Sequence, residues 1–305
     1  MRKRVPASFV ISVGNIAMGG RGKTPLVGLI ARVLIGAGER PAILTRGYGR
    51  RRRDDGVTIV SDGEHVLADV DRAGDEPLLL ARSVPGAAVL VCEQRAIAAA
   101  LAESQLGSTV HLLDDGFQHR SMPRDVDIVA IAPQDLEDRR VPLGRLRESP
   151  SALSRADAVV IDGPPEASGG FDHPRIFALT RHLGDAVSVD AVHAAPAKGT
   201  GVVAVAGIAQ PDRFSRALEQ AGWQVRKLLR FRDHHRFGVG DVRGIERAVR
   251  EAGAAGVVTT EKDAMRLRLL RPFAVPVAFV PLVVRVEPPA EFESWLLGRV
   301  RERRG

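Results

Sequence analysis

Apolar residues along this chain come in short blocks whose spacing switches between strand and helix. Phe9-Val10-Ile11-Ser12-Val13 suits a strand buried on both faces. After a glycine-rich break, Leu26-Val27-Gly28-Leu29-Ile30-Ala31-Arg32-Val33-Leu34 predicts a helix. Further strands are expected at 41–45, 86–91, 110–113, 126–131 and 158–161, with an alanine-rich helix over 96–106. Strands alternating with helices imply an α/β fold: a mostly parallel sheet covered on both faces, with ligands at the carboxyl ends of the strands. Gly, Pro and Ser break the pattern over 164–174, the best candidate for a boundary. A second α/β pattern follows: a strand and turn at 201–208, a helix at 211–221, strands at 256–260 and 275–284, and an amphipathic helix at 291–303. The expected organisation is a larger domain over 1–168 and a smaller α/β domain over 169–305 that closes over the active site. No internal repeat is present.

The break after the first strand carries the strongest chemical signal. Ala17, Met18, Gly19, Gly20, Arg21, Gly22, Lys23 and Thr24 follow the phosphate-loop pattern G-x-x-x-x-G-K-[ST], with Ala17 at the first position. Glycines let backbone N–H groups approach phosphate oxygens at a helix N-terminus. Lys23 would reach the outer phosphates of a nucleotide, and the Thr24 hydroxyl would ligate magnesium. Downstream, Leu112-Leu113-Asp114-Asp115-Gly116 runs an apolar strand into two carboxylates, as a Walker B element presents an acid to magnesium. Asp-Gly also suits a tight turn. Gly74-Asp75-Glu76-Pro77 places acids at a helix start, Thr45-Arg46-Gly47-Tyr48-Gly49-Arg50 follows the second strand, and Arg147-Glu148 precedes Ser149-Pro150. Phe231-Arg232-Asp233-His234-His235 offers imidazoles near an acid. One cysteine and no spaced histidine partners make a zinc site a poor reading.

Composition narrows the class. An apolar fraction of 45% suits a globular chain, and a lone cysteine, Cys92, forms no internal disulfide. No apolar stretch is long enough to span a bilayer. The formal charge is +7, with arginine clusters at 50–53 and 299–304. Such clusters suit an anionic substrate, lipid headgroups or plain solvated surface. They lack the interleaved aromatics that stack on bases, so no nucleic-acid partner is expected.

In order, V-G-N-I-A-M-G-G-R-G-K-T-P from Val13, T-R-G-Y-G-R from Thr45, G-D-E-P from Gly74, L-D-D-G-F-Q-H from Leu113, L-R-E from Leu146, D-H-H from Asp233 and T-T-E-K-D-A from Thr259 resemble the tetraacyldisaccharide 4'-kinase family, the lipid A 4'-kinases. The resemblance covers nearly the whole chain. It implies a phosphate-loop fold and ATP-dependent transfer, with Mg2+, to the 4'-hydroxyl of a tetraacyldisaccharide 1-phosphate, giving lipid IVA. Its partners would be that lipid A precursor and the membrane surface, at the cytoplasmic face of the inner membrane, with no obligate protein partner. It implies Asp75 as the base, with His234 assisting, and Asp114, Asp115 and Glu148 joining Thr24 around magnesium. Arg46, Tyr48, Glu76, Arg95, Gln118, His119 and Arg147 would contact phosphate or substrate. Family members usually carry an apolar N-terminal segment, whereas this sequence opens at Met1-Arg2-Lys3-Arg4. Either the start lies upstream, or docking rests on basic residues or another apolar surface. Ala17 replaces a hydroxyl residue often found there, and Glu93-Gln94-Arg95 departs from the usual acid–arginine pair. Two alternatives remain: a phosphate-loop kinase with a soluble acceptor, and a nucleotide-dependent regulatory protein without catalysis.

Overall fold

The computed structural model describes residues 8–19, 22–52, 56–119, 121–164, 171–190 and 192–303. The chain forms β1 (Phe9–Gly14), α1 (Lys23–Gly36), β2 (Pro41–Thr45), β3 (Thr58–Asp62), α2 (Val70–Ala73), α3 (Asp75–Ser83), β4 (Ala88–Val91), α4 (Arg95–Leu106), β5 (Val110–Asp114), β6 (Val126–Ile131), β7 (Ala158–Asp162) and β8 (Ile176–Leu183). It continues with β9 (Val187–Ser188), β10 (Gly201–Ala206), α5 (Pro211–Gln220), β11 (Gln224–Arg230), α6 (Val239–Glu251), β12 (Val257–Thr260), α7 (Glu261–Leu267), β13 (Val277–Val280), β14 (Leu282–Glu287) and α8 (Pro289–Glu302).

The chain divides into two compact units, 1–181 with 284–305, and 182–283. The first is built on a sheet of order β14-β8-β7-β6-β1-β5-β2-β4-β3. β1 pairs in parallel with β5 and β6, β2 with β4 and β5, and β7 with β6 and β8, while β3 runs antiparallel to β4 at the edge. Every residue of β1, β2 and β5 is buried. Helix α4 packs Ala98, Ala99 and Ala102 against Val10, Leu44, Leu90 and Leu113; α1 buries Leu26, Val27, Ile30, Ala31 and Leu34. Burying each of those larger side chains is worth roughly 1.5–3 kcal/mol, so α1 holds the chemistry at its N-terminus in place.

The boundary differs from the expected 168/169. β8 extends the first sheet by pairing with β7, so the division falls after Arg181. The region expected as one strand over 275–284 is two, broken at Pro281: β13 joins the second sheet and β14 the first. That return carries α8 into the first unit, where Phe292 and Trp295 pack on Phe177. The second unit has a sheet of order β11-β10-β12-β13-β9, parallel except for β9.

Candidate active site

β1 and β5 are neighbours, so the turns at their carboxyl ends meet. α1 begins at Lys23 after Gly22, whose φ of 76° is left-handed. That φ favours glycine, and a Cβ there would also crowd the guanidinium end of Arg181 at 2.8 Å. No acidic residue lies in the first turn of α1, which leaves its positive end to attract anions. Lys23 Nζ lies 2.8 Å from Asp115 Oδ1 and donates to buried Asn15 Oδ1 at 2.9 Å. Thr24 stands beside it in the same turn. Met18 and Gly19 continue the loop; Gly20 and Arg21 lie outside the described residues.

Asp114 closes β5, and Asp115 turns the chain with a φ of 55°, a conformation Asp tolerates better than most residues. Their environments drive the two carboxyls apart. Burial, then the charge of Glu76, push Asp114 up to about 7, against the pull of Lys23 and Arg95. Its Oδ1 is buried and has no hydrogen-bond partner. Burial also pushes Asp115 up, but Lys23 and Arg147 outweigh it and hold that carboxyl below the usual range. Arg147 Nη1 donates to Asp115 Oδ2 at 3.0 Å.

The segment carrying Arg147 and Glu148 is stitched to the loop. Met18 N donates to Arg145 O and Arg147 N to Ile16 O, each at 2.7 Å, and Leu146 is buried with Ile16, Ala17 and Phe117. Gln118 donates to Asn15 O at 2.9 Å and to Glu148 Oε1 at 3.0 Å, and Arg155 to Glu148 Oε2 at 2.7 Å. Lys23, Asp115, Gln118, Arg147 and Glu148 thus form one connected cluster through Asn15, with Asp114 beside it. Asn15 and Arg155 were not among the expected site residues. An amide directly after β1 within the glycine-rich turn was the available signal for Asn15; nothing local marks Arg155.

Arg95 opens α4 and is 1% exposed, yet its Nε and Nη2 have no hydrogen-bond partner. Burial, then the charge of Arg46, lower it to about 10, so it remains cationic at neutral pH. A buried cation with unmet donors beside Asp114 and Asp115 suits an anionic ligand. Arg46 donates weakly to His119 Nδ1 at 3.5 Å. Burial and then Arg95, Arg46 and Arg124 lower the His119 imidazole. Tyr48 is 82% exposed, and Asp75, in the first turn of α3 with Glu76, is buried.

His234 belongs to the second unit, where the structure separates it clearly from its neighbour. His235 packs between Phe231 and Phe237, and its Nε2 meets Asp241 at 3.0 Å. His234 has a φ of 59° and a side chain 37% exposed, with its Nδ1 on Arg266.

Among the described residues, no group of three or more His, Cys, Asp or Glu is arranged to hold a metal ion by itself. Magnesium needs less, since one or two carboxylates with phosphate oxygens and water suffice. The unpartnered Asp114 oxygen beside Lys23 fits that requirement.

A model of the tetraacyldisaccharide-1-P 4'-kinase family matches residues 1–301. The chain is 38% identical over 320 residues to the tetraacyldisaccharide 4'-kinase of Syntrophus aciditrophicus, covering 96% of this chain and 84% of that protein. It is 40% identical over 292 residues to that of Nitrobacter winogradskyi, covering 92% and 83%. Among solved structures, LpxK from Aquifex aeolicus in complex with ATP matches with a TM-score of 0.79 at 30% identity, over 98% of this chain and 90% of that one.

Proposed function

The chain belongs to the tetraacyldisaccharide-1-P 4'-kinase family, and from that membership we infer how its residues divide the work of phosphoryl transfer. It is an ATP-dependent kinase that uses Mg2+ and phosphorylates the 4'-hydroxyl of tetraacyldisaccharide 1-phosphate in lipid A biosynthesis. The observation that carries the residue assignment is the Lys23–Asn15–Asp115 cluster beside the unpartnered oxygen of Asp114.

Lys23 and the loop amides bind the β- and γ-phosphates. Thr24 and Asp114 would hold magnesium, with Asp115 and Glu148 supporting them; the bound ion would neutralise charge on the phosphates. Asp115 and Arg147 fix the resting position of the Lys23 ammonium, and Arg95, Arg46 and Arg147 supply positive charge for the phosphates of both substrates. Tyr48, Glu76, Gln118 and His119 complete the surroundings of the acceptor. Asp75 accepts the proton of the 4'-hydroxyl. The sugar oxygen then bonds to the γ-phosphorus as the bridging P–O bond breaks, and ADP leaves with the electron pair. His234 assists as a hydrogen-bonding group. Most of the rate comes from positioning and charge neutralisation. In the Asp75→Ala variant, turnover is expected to fall by about a hundredfold or more while ATP affinity is retained. Wild-type turnover in that variant removes Asp75 from the base role.

Among the described residues no helix is long and apolar enough to cross a membrane. We place the enzyme peripherally on the cytoplasmic face of the inner membrane, where a four-chain acceptor resides. Support comes from the loop over 139–146, tied by its own hydrogen bonds from Val141 N and Leu143 N to Leu146 O and Arg140 O. It exposes Val141 by 50% and Leu143 by 80%, flanked by exposed Arg139, Arg140 and Arg145. An apolar tip ringed by arginines suits an anionic lipid surface.

A further inference from the structure

His234 holds a backbone conformation that costs an L-residue roughly 1 kcal/mol or more, and such strain persists only where the surroundings over-determine it. Here they do. Its amide donates to Gly207 O at 3.1 Å, and the Gly207 amide donates to Asp263 Oδ2 at 2.9 Å. Arg266 Nη1 donates to His235 O at 3.1 Å, and Nη2 reaches His234 Nδ1 at 3.0 Å. Arg266 is nearly buried and lies 3.5 Å from Asp263, which is fully buried and also accepts from the Thr260 hydroxyl at 2.7 Å. One turn of α7 therefore holds the ring of His234 directly, and its main chain indirectly, through Gly207 and the carbonyl of His235.

The identity of the group on Nδ1 decides the chemistry. A guanidinium has five donors, no acceptor, and a permanent charge. Nδ1 must therefore accept, and the single proton of the neutral ring sits on Nε2. Where a histidine serves as a general base, a carboxylate commonly accepts from Nδ1–H and leaves Nε2 free to take a proton. This arrangement is the reverse. Taking up a second proton would set Nδ1–H against the Arg266 donor and place two cations 3.0 Å apart. The Nε2 side faces away from that contact, with Asp233 Oδ1 at 3.9 Å.

We propose that Arg266, anchored by Asp263, is a positioning residue that fixes His234 as the neutral Nε2–H tautomer, so that His234 serves phosphoryl transfer as a hydrogen-bond donor and not as a proton acceptor. The catalytic half of this statement rests on the role given to His234 above; the tautomer does not. Sequence proximity offers no hint of it, because Arg266 lies 32 residues downstream.

The test is nitrogen NMR of the histidine-labelled full chain at neutral pH, with His234→Gln to assign the signal. Wild type is expected to show Nδ1 unprotonated and Nε2 protonated. Arg266→Lys, which still donates, keeps that state; Arg266→Met gives a mixture of tautomers. In turnover, Arg266→Met loses about ten- to hundredfold in kcat with KM for ATP unchanged, and Arg266→Lys recovers most of it. His234→Gln, whose amide still donates, retains more turnover than His234→Ala. A protonated Nδ1 in wild type overturns the proposal, as does an unchanged tautomer in folded Arg266→Met. Should Arg266→Met not fold, wild type and Arg266→Lys decide the matter. Full turnover in both His234 variants, with the tautomer as expected, overturns the catalytic half alone.

Discussion

Asp114 carries a prediction whose size follows from its surroundings. It is 4% exposed, one oxygen has no partner, and burial followed by the charge of Glu76 raises its carboxyl from 3.8 to about 7. Between those two values the folded protein holds one more proton than the unfolded chain. Stability from this group is therefore fully present below the unfolded value and declines as pH rises, by about 1.4 kcal/mol per pH unit, levelling off above about pH 7. The ceiling over the whole interval is about 4 kcal/mol. Asp114→Asn keeps the shape and removes the titration. Its stability relative to wild type should rise by up to about 3 kcal/mol between about pH 5 and about pH 8. Each kcal/mol corresponds to about 2–4 °C in a unit of this size. Thermal unfolding of both proteins in EDTA across that range measures the effect. The same substitution deletes a magnesium carboxylate, so turnover should fall by about a hundredfold or more. A difference in stability that does not change with pH refutes the buried-carboxylate argument. Wild-type turnover in Asp114→Asn refutes the metal role.

Gly74→Ala tests the junction that places Asp75. Gly74 has a φ of 87° and a Cβ there would lie 2.9 Å from Tyr48 O, so a loss of about 1–3 kcal/mol in unfolding free energy is expected, with reduced turnover; an unchanged melting curve contradicts the geometry. Leu143→Asp should weaken binding to anionic vesicles by about tenfold and raise KM for a micellar acceptor, with KM for ATP unchanged. Equal sedimentation of variant and wild type with vesicles removes the loop from membrane docking.

The sequence made the interior of the larger sheet legible because β1, β2, β5, β6 and β7 are apolar runs that the fold buries on both faces. One-sided burial showed at the helices expected over 211–221 and 291–303 but not in three other elements. β11, Gln-Val-Arg-Lys-Leu-Leu-Arg, is a half-exposed edge strand, and α6 buries only Val242, Ile245, Ala248 and Val249 along a polar helix containing two glycines. β3 hides in a short antiparallel edge. The nearness of Lys23 to the Asp114–Asp115 pair could be anticipated because each follows an apolar strand and those two strands are neighbours. Asn15 under Lys23, Arg181 against Gly22 and Arg266 on His234 could not, because each contact joins side chains that the strand pattern does not bring together. Arg181 lies at the end of β8, a strand with no place in the expected pattern.

The central claim is tested most directly by following phosphate from γ-labelled ATP, with Mg2+, to a tetraacyldisaccharide 1-phosphate in detergent micelles, using wild type and Lys23→Ala. Labelled bis-phosphorylated lipid is expected with wild type and none with Lys23→Ala. Folded wild-type protein that binds ATP and yields no labelled lipid would contradict that claim.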